Sequence, residues 1–189
     1  MLPSDVTLRE VRADFANRRF LAMPIAGAIA WTVAGILGAV LPVGLASLAL
    51  FICTGMIFGL AVLISPLLGE DLLGRKRKPN ELDRLFMLTL LMANLVWAIV
   101  IPFFMVERTS LPLGVGILAG LMWIPFSWMI QHWVGLFHGI ARTVLIVVAW
   151  YLFPAHRFVV IPGVIVLIYL ISIFVLATRP LLESPRTEA

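Results

Sequence analysis

Residues 116–142, GILAGLMWIPFSWMIQHWVGLFHGIAR, form the stretch in which a hydrophobic run carries the densest concentration of polar and aromatic side chains. Because proline lacks an amide proton, Pro125 is predicted to leave one helix carbonyl without its donor and to kink the helix. The polar residues follow one another closely: Ser127, Gln131, His132, His138 and Arg142. We expect a functional site to include this stretch, although the kink has two interpretations: it lines a cavity, or it only improves packing.

The composition of the whole chain is that of a membrane protein. Of the 189 residues, 62% are hydrophobic and 13% are charged, whereas about 25% of the residues in a soluble domain are charged. The mean hydropathy is +1.08. Apolar runs of about 20 residues, long enough to cross a bilayer, occupy most of the length. This pattern predicts an integral membrane protein and leaves no room for a separate soluble domain.

Six apolar runs predict an all-α polytopic membrane protein, a bundle of six transmembrane helices. The runs cover about residues 21–41, 45–67, 85–106, 113–130, 140–153 and 158–178. Residues 131–139 are predicted to form a return turn, so the fifth run is short for a crossing unless residues 133–138 continue its helix. The predicted organisation is an amphipathic helix at 1–20, a transmembrane domain at 21–178 and a disordered cytoplasmic tail at 179–189.

Basic and apolar residues alternate at helical spacing near the N-terminus. Leu8, Val11 and Phe15 share one helix face, which predicts an amphipathic helix along the membrane surface; the alternative is a solvated basic tail. Asp14 and Arg18 are four residues apart and are predicted to pair. The basic residues predicted to contact anionic lipid head groups or a cytoplasmic partner are Arg18, Arg19, Arg75, Lys76, Arg77 and Lys78.

Two pairs of glycines have the spacing that lets membrane helices approach closely. Gly55 and Gly59 lie in the second run, and Gly116 and Gly120 lie in the fourth. Small residues at this spacing favour helix packing in lipid, where no hydrophobic effect drives helices together. We therefore predict packing at these glycines and a homo-oligomer formed through glycine-rich helix faces.

The basic residues are distributed asymmetrically between the predicted connections. With six spans, both termini and the second and fourth connections share one side, and most arginines and lysines lie there. The positive-inside rule then places both termini in the cytoplasm, in a bacterial inner membrane. The net charge of +4 follows from this topology, so the sequence does not suggest nucleic-acid binding.

The spans contain few groups that carry chemistry. No Asp or Glu falls inside a predicted span, which disfavours an enzyme and a carboxylate-based proton relay. His132 and His138 are predicted on the side opposite His156, so the sequence predicts neither a metal site nor a cofactor. His138 and Arg142, four residues apart, have two interpretations: a cationic corner that holds a phosphate or carboxylate, or two side chains that snorkel to the membrane interface.

Four polar residues are predicted to line a path for a solute: Asn94, Ser127, Gln131 and Arg142. Asn94 has an alternative role, a hydrogen bond to a neighbouring helix. The predicted function is a transporter or channel-like protein for a small or amphipathic solute. The alternative is an adaptor or sensor that binds lipid or a cytoplasmic partner through the basic loop at residues 75–78.

Three short segments carry a family resemblance. They are CTGMIFGLAVLIS at residues 53–65, the tripeptide NEL at residues 80–82, and PFSW at residues 125–128. Through them the chain resembles a family of small bacterial six-span membrane proteins of unknown function. The resemblance extends over nearly the whole chain and implies a fold of six spans, but no activity.

Overall fold

The computed structural model describes residues 7–73 and 80–181, and every regular element within those ranges is helical. Five helical segments are long and apolar enough to cross a membrane, and a bent pair of helices makes a sixth. The protein is therefore an all-α membrane protein with the helical-bundle fold that the apolar runs predict.

Ten α-helices make up the described chain. A short amphipathic helix, α1, is followed by α2 as the first span, α3 and α4 as the second, α5 and α6 as the third, α7 and α8 as the fourth, α9 as the fifth and α10 as the sixth. Their bounds are α1 Leu8–Ala16, α2 Ala22–Val40, α3 Val43–Gly55, α4 Ile57–Ile64, α5 Glu81–Leu95, α6 Trp97–Val106, α7 Leu111–Gly120, α8 Trp123–Met129, α9 Val134–Leu152 and α10 Arg157–Thr178. Short 3₁₀ turns follow α4 and precede α7 and α10.

The fifth span is a full crossing, because the return turn before it is shorter than predicted. The Ser127 hydroxyl donates to the His132 carbonyl at 2.5 Å, and the His132 amide donates to the Ser127 carbonyl at 3.2 Å. Gln131 adopts a left-handed conformation, with φ 54°, between these two bonds. The chain therefore reverses within four residues, and α9 begins at Val134 rather than near residue 140.

The first, fifth and sixth spans are uninterrupted helices, and α10 packs against both α2 and α9. Glycines on α2 make its contact with α10 close. A Cβ at Gly38 would lie 2.4 Å from the Phe158 carbonyl oxygen, and one at Gly27 would lie 2.4 Å from the Tyr169 ring. A larger residue at either position would push the two helices apart, so these glycines hold the centre of the bundle together.

The second, third and fourth spans are each interrupted near the middle. The second bends by 43° between α3 and α4, and the other two are interrupted at Val96 and at residues 121–122. Pro125 cannot donate to the Leu121 carbonyl, which instead accepts the Ile124 amide at 3.1 Å. The kink predicted from Pro125 thus lies one turn before the proline, where an i−4 carbonyl is freed.

Side chains that bond to their own helix accompany the other two interruptions. The Thr54 hydroxyl donates to the Leu50 carbonyl at 2.7 Å, next to Gly55. The Asn94 amide donates to the Leu90 carbonyl at 2.9 Å, two residues before the interruption at Val96. Such bonds compete with the backbone ladder and bend helices. The alternative predicted for Asn94, a hydrogen bond to a neighbouring helix, is wrong, because the Asn94 side chain bonds within α5.

The two predicted glycine pairs have different environments. A Cβ at Gly116 would lie 2.9 Å from Ile146, and one at Gly120 would lie 3.0 Å from the Arg142 side chain, so α7 packs closely at both positions. At Gly55 and Gly59 an added Cβ would meet nothing within 4 Å. Within residues 7–73 and 80–181, no helix therefore packs closely at Gly55 or Gly59, and the homo-oligomer stays a prediction.

The N-terminal helix α1 packs against the ends of α5 and α8. Its start is capped by Thr7 and Glu10 in a capping box, and Val11 and Phe15 are buried. The Arg12 Nε donates to the Trp128 carbonyl at 2.7 Å. Two of the three residues on the predicted apolar face are thus buried, whereas Leu8 is exposed. The buried face covers one end of the bundle, which is called the α1 end below.

The basic residues near the α1 end bond within the chain. Arg18 pairs with Asp14 at 3.1 Å, as predicted, and with Asp83 at 2.5 Å. Arg19 donates to the Ala177 carbonyl. Arg179, predicted to begin a disordered tail, is instead buried and donates to the Ala16 carbonyl at 3.1 Å. The remaining predicted contact residues, Arg75, Lys76, Arg77 and Lys78, lie outside the described ranges.

Candidate functional site

A cavity of about 130 Å³ lies inside the bundle among the three interrupted spans. All six spans contribute to its wall. Its polar lining residues are Thr54, Glu70, Asn94 and Arg142, and its aromatic lining residues are Phe20, Trp31, Phe58, Phe86, Trp97, Trp123, Phe126 and Tyr169. The cavity is therefore mostly apolar, with few polar groups, which is the usual composition of a small-molecule site.

The helix interruptions lie beside this cavity. Residues on either side of the interruptions in the second and third spans, Gly55 with Ile57 and Asn94 with Trp97, line it, and so does Met122 in the fourth. Irregular backbone within a membrane is tolerated where it is buried in protein or lines a cavity. Discontinuous helices are also how many transporters build a site near the middle of the bilayer.

We infer that the cavity opens sideways between the second and third spans, because lining residues of both spans are exposed. Gly55, Phe58 and Asn94 line it and are exposed at the surface of the bundle. Beyond the interruptions, the second and third spans are joined by Phe51, whose ring stacks on Trp97 at 5.0 Å and meets Phe104 edge-on at 5.6 Å. The opening therefore lies at the level of the interruptions, on a face made of membrane-spanning helices.

Aromatic rings close the cavity at the α1 end. The Phe20 ring lies 4.7 Å from Phe15, 6.2 Å from Phe86 and 5.2 Å from Phe126. Phe20 has a φ of 57°, a conformation that costs a residue other than glycine about 1–2 kcal/mol. The closure is thus held in place by ring packing that outweighs an unfavourable backbone conformation.

Glu70, which follows the second span, also stabilises the α1 end of the cavity. Its carboxylate accepts hydrogen bonds from the Leu21 amide at 2.5 Å and the Ala22 amide at 3.1 Å. These amides belong to the start of α2, where the helix dipole favours a negative charge. The carboxylate therefore caps α2, and its charge is offset by the helix to which it binds.

Arg142 is the charged residue at the centre of the cavity wall. It lies near the middle of α9, about 12 Å from the α1 end of that helix, and only 1% of its surface is exposed. Its Nε donates to the Gly116 carbonyl at 2.7 Å. Since an added Cβ at Gly120 would lie 3.0 Å from the Arg142 side chain, Gly120 makes room for this arginine, whereas Gly116 supplies the carbonyl that it binds.

The hydrogen bonds around Arg142 define the tautomer of His138. The Arg142 Nη1 lies 3.2 Å from His138 Nε2, and because a guanidinium only donates, His138 Nε2 must accept. The proton of the neutral ring is then on Nδ1, which donates to the Ser172 hydroxyl at 2.9 Å, and Ser172 donates to the Ile168 carbonyl at 2.8 Å. His138 also stacks on Trp123, with ring centroids 3.9 Å apart. The histidine is thus a fixed, neutral acceptor.

One arm of the Arg142 guanidinium has no hydrogen-bond partner. The Arg142 Nη2 is buried and unbonded, and no ion pair joins Arg142 to a carboxylate within residues 7–73 and 80–181. The rings of Trp31 and Tyr169 lie 5.5 and 5.4 Å from the guanidinium carbon and stabilise the charge through cation–π contacts. The arrangement leaves a cation with one free donor beside an apolar cavity.

The structure separates the four predicted lining residues into two groups. Asn94 and Arg142 both line the cavity. Ser127 lies outside it and bonds to the His132 carbonyl, and Gln131 is exposed in the turn before α9. Snorkelling of His138 and Arg142 to the interface is wrong, because both side chains are buried and bond to each other.

Sequence patterns did not identify several residues of the cavity. Trp31 and Tyr169 lie near the middle of α2 and α10, whereas membrane tryptophans and tyrosines are usually found at the interfaces. Because a buried tyrosine hydroxyl usually has a hydrogen-bond partner, the position of Tyr169 in the middle of a span could have indicated a polar site. Glu70 had no such pattern, because its two amide partners lie 48 and 49 residues earlier in the chain.

Comparison with known proteins identifies a family but no function. No curated protein and no solved structure matches the chain. The family of unknown function DUF7010 matches residues 8–179, which is nearly all of the described chain and agrees with the resemblance found in the sequence. The protein therefore belongs to the DUF7010 family, a family of unknown function.

Proposed function

We propose that the protein is a small transporter that moves an amphipathic solute through the cavity between its interrupted spans. The observation that carries this proposal is the position of the cavity, which is bordered by helix interruptions in three neighbouring spans. Interrupted helices supply both polar backbone groups for a solute and hinges for alternating access.

The sideways opening supports an amphipathic solute. Gly55 and Asn94 form part of the opening on the membrane-facing surface, so a solute with an apolar body enters from the bilayer without first crossing water. The cavity wall is mostly aromatic, and aromatic rings bind apolar bodies through a large buried area.

The proposed activity is binding and movement, not catalysis. In the described spans the carboxylates are confined to Glu81 and Asp83, in the first turn of α5. Both lie far from the helix interruption at Val96, and Asp83 takes part in the N-terminal cap of α5. Glu70 is the carboxylate that lines the cavity, and it already accepts hydrogen bonds from the Leu21 and Ala22 amides. A hydrolase or a carboxylate-driven proton relay would need a carboxylate there that is not bound in this way.

Transport is tested with the purified protein in phosphatidylcholine vesicles. Three decyl amphiphiles with the same chain fluorophore serve as probes: an anionic sulfonate, a neutral glucoside and a cationic trimethylammonium. Reduction of the fluorophore from outside measures how fast each probe crosses. We expect at least one probe to cross faster in protein-containing vesicles than in protein-free vesicles.

Two glycines provide the matched variants for this test. Gly55→Trp places a ring at the cavity, whereas Gly59→Trp places one on the same span outside it, and neither position has a neighbour within 4 Å of an added Cβ. We expect Gly55→Trp to abolish the acceleration and Gly59→Trp to retain it. No acceleration for any probe, or equal effects of the two substitutions, would contradict the proposal.

Two of the predicted lining residues, Asn94 and Ser127, test which residues the solute contacts. Asn94→Leu should slow transport, because Asn94 lines the cavity, whereas Ser127→Leu should not act through the cavity, because Ser127 lies outside it. Folded Asn94→Leu protein with full transport would show that Asn94 makes no contact with the solute.

We further propose that the α1 end faces the cytoplasm of a bacterial cell. Arg9, Arg12, Arg18, Arg19 and Arg179 lie at this end, in agreement with the positive-inside rule. With Cys53→Ser as background, cysteines at exposed Gln131 and Ala155 mark opposite ends of the bundle. In intact cells an impermeant maleimide should label Ala155→Cys and not Gln131→Cys; the reverse pattern would invert the topology.

A further inference from the structure

We propose that the cavity selects amphipathic anions, and that the free arm of Arg142 binds the acid group of the solute. This inference rests on the proposed transport function and adds the chemical class of the solute. It is argued from the charge of Arg142, from the way its guanidinium is held, and from the lining of the cavity.

The charge of Arg142 lacks a counter-ion in the described chain. The guanidinium is buried near the middle of a spanning helix, and its polar partners there are the Gly116 carbonyl and the neutral His138 ring. A charge at this depth costs several kcal/mol unless it is paired. An anion in the cavity would supply the missing pair.

The guanidinium is held in place before any ligand arrives. Nε and Nη1 are each bonded, and the Trp31 and Tyr169 rings lie beside the planar group. Only Nη2 remains without a partner. Arginine recognises carboxylate and phosphate oxygens through charge-assisted hydrogen bonds, and a donor held in advance loses little side-chain entropy on binding.

The remainder of the lining limits the solute to one acid group on an apolar body. Rings of Trp31, Trp97, Trp123 and Tyr169 form the wall near the level of Arg142. Glu70, the carboxylate that lines the α1 end of the cavity, would repel a second acid group there. The shared chemistry is therefore a single carboxylate or phosphate head on an alkyl or aromatic body.

Binding is measured with the full-length protein in dodecyl maltoside, by the ligand-dependent rise of its unfolding temperature. Octanoate and octyl phosphate test a carboxylic acid and a phosphate head, and octyl glucoside and octyltrimethylammonium are the neutral and cationic controls. We expect the two anions to raise the unfolding temperature and the controls to leave it unchanged. Preference between the two anions distinguishes a free carboxylic acid from a lipid-like phosphate.

Variants then assign the effect to one arginine. Arg142→Gln should weaken anion binding by about 10- to 100-fold, the range for a hydrogen bond to a charged group, and Arg142→Lys should keep part of it. Arg157→Gln is the matched control, because Arg157 bonds Thr109 at the opposite end of the bundle, and it should bind as the wild type does.

The outcomes separate this inference from the transport proposal. If octyl glucoside raises the unfolding temperature as much as octanoate, or if Arg142→Gln binds anions as the wild type does, the anion inference is overturned. Transport of a neutral probe that Gly55→Trp blocks would still support the proposed function. If Arg142→Gln does not fold, the preference of the wild type for anions and its loss in Gly55→Trp decide the question.

Discussion

The uninterrupted spans and the interrupted second and third spans differ in how they pack. In α2, α9 and α10, 39% of the residues in the most apolar stretch are buried, compared with 17% in the third span. The contact between α2 and α10 brings backbone close to backbone at Gly38 and Phe158. The second and third spans meet through large rings, Phe51 with Trp97 and Phe104.

For the transport that we propose, this difference would divide the molecule into a scaffold and a movable part. Close packing around glycine gives many short contacts that a small displacement would lose. Spans that are bent at Met56 and interrupted at Val96 have both hinges and free surface. The fourth span combines the two, because it is interrupted at residues 121–122 and yet supports Arg142 through Gly116.

The largest expected effect is on the scaffold itself. Gly38→Leu would place a side chain against the Phe158 carbonyl, and because backbone cannot move aside as a flexible side chain can, we expect a loss of about 3 kcal/mol in the free energy of unfolding. Gly59→Leu, on the interrupted second span, should change it by less than about 0.5 kcal/mol. Unfolding in mixed micelles measures both, and equal losses would remove the distinction between the two parts.

Substitution of Phe20 tests whether the aromatic cluster stabilises the closed α1 end of the cavity. Phe20→Gly relieves an unfavourable φ but loses contacts with three rings, so we expect a net loss of about 2 kcal/mol in the free energy of unfolding. Gln131→Gly relieves a similar φ at an exposed position and should gain up to about 1 kcal/mol. A stabilised Phe20→Gly protein would show that the ring cluster contributes little.

Amide hydrogen exchange compares the local stability of the interrupted and uninterrupted spans. Local opening should be easier around Met56 and Val96 than in α2 and α10, because the helix hydrogen bonds are interrupted there. We expect exchange on the order of tenfold faster, which corresponds to about 1.4 kcal/mol of local stability. Uniform protection across the six spans would argue for a rigid bundle without hinges.

The smallest effect is expected at His132, which joins the fourth span to α9. Partial burial, and then the nearby charge of Arg179, lower the pKa of His132 below its usual value of 6.5. Protonation therefore favours the unfolded chain, so the contribution of His132 to stability is complete above about pH 6.5 and falls as the pH drops below it. The Val134 amide donates to His132 Nδ1 at 3.2 Å, a bond that protonation would break.

The check is the pH dependence of unfolding in the wild type and in His132→Asn. Comparing the two removes the contribution of every other titrating group. We expect a shallower decrease below pH 6.5 in the variant; an identical slope would show that His132 does not respond to pH.

Local patterns predicted most of the fold. Hydropathy located six spans to within a few residues, except for the start of α9, and Pro125 correctly indicated an interruption. The Asp14–Arg18 pair was also local, since its residues are four positions apart. Structural elements whose contacts lie close together in the sequence can therefore be predicted from local patterns.

The site was less predictable because its contacts are distant in the chain. The two interpretations of Arg142 could not be separated, because the sequence does not show that Gly116, 26 residues earlier, offers it a carbonyl. The interruptions at Met56 and Val96 contain no proline and depend on side chains that bond to their own helix. The burial of α1 could not be predicted for the same reason, because its partners are Asn80, at the start of α5, and Trp128, in α8.

The position of Arg142 also constrains how the protein enters the membrane during synthesis. An arginine near the centre of a helix adds about 2.5–3.5 kcal/mol to the free energy of insertion, so α9 is a poor substrate for the translocon on its own. The Gly116 carbonyl lies on a span that is already made, while Ser172, which bonds His138, lies on the next one. Because only four residues separate α9 from α10, the two helices are suited to enter together as a hairpin.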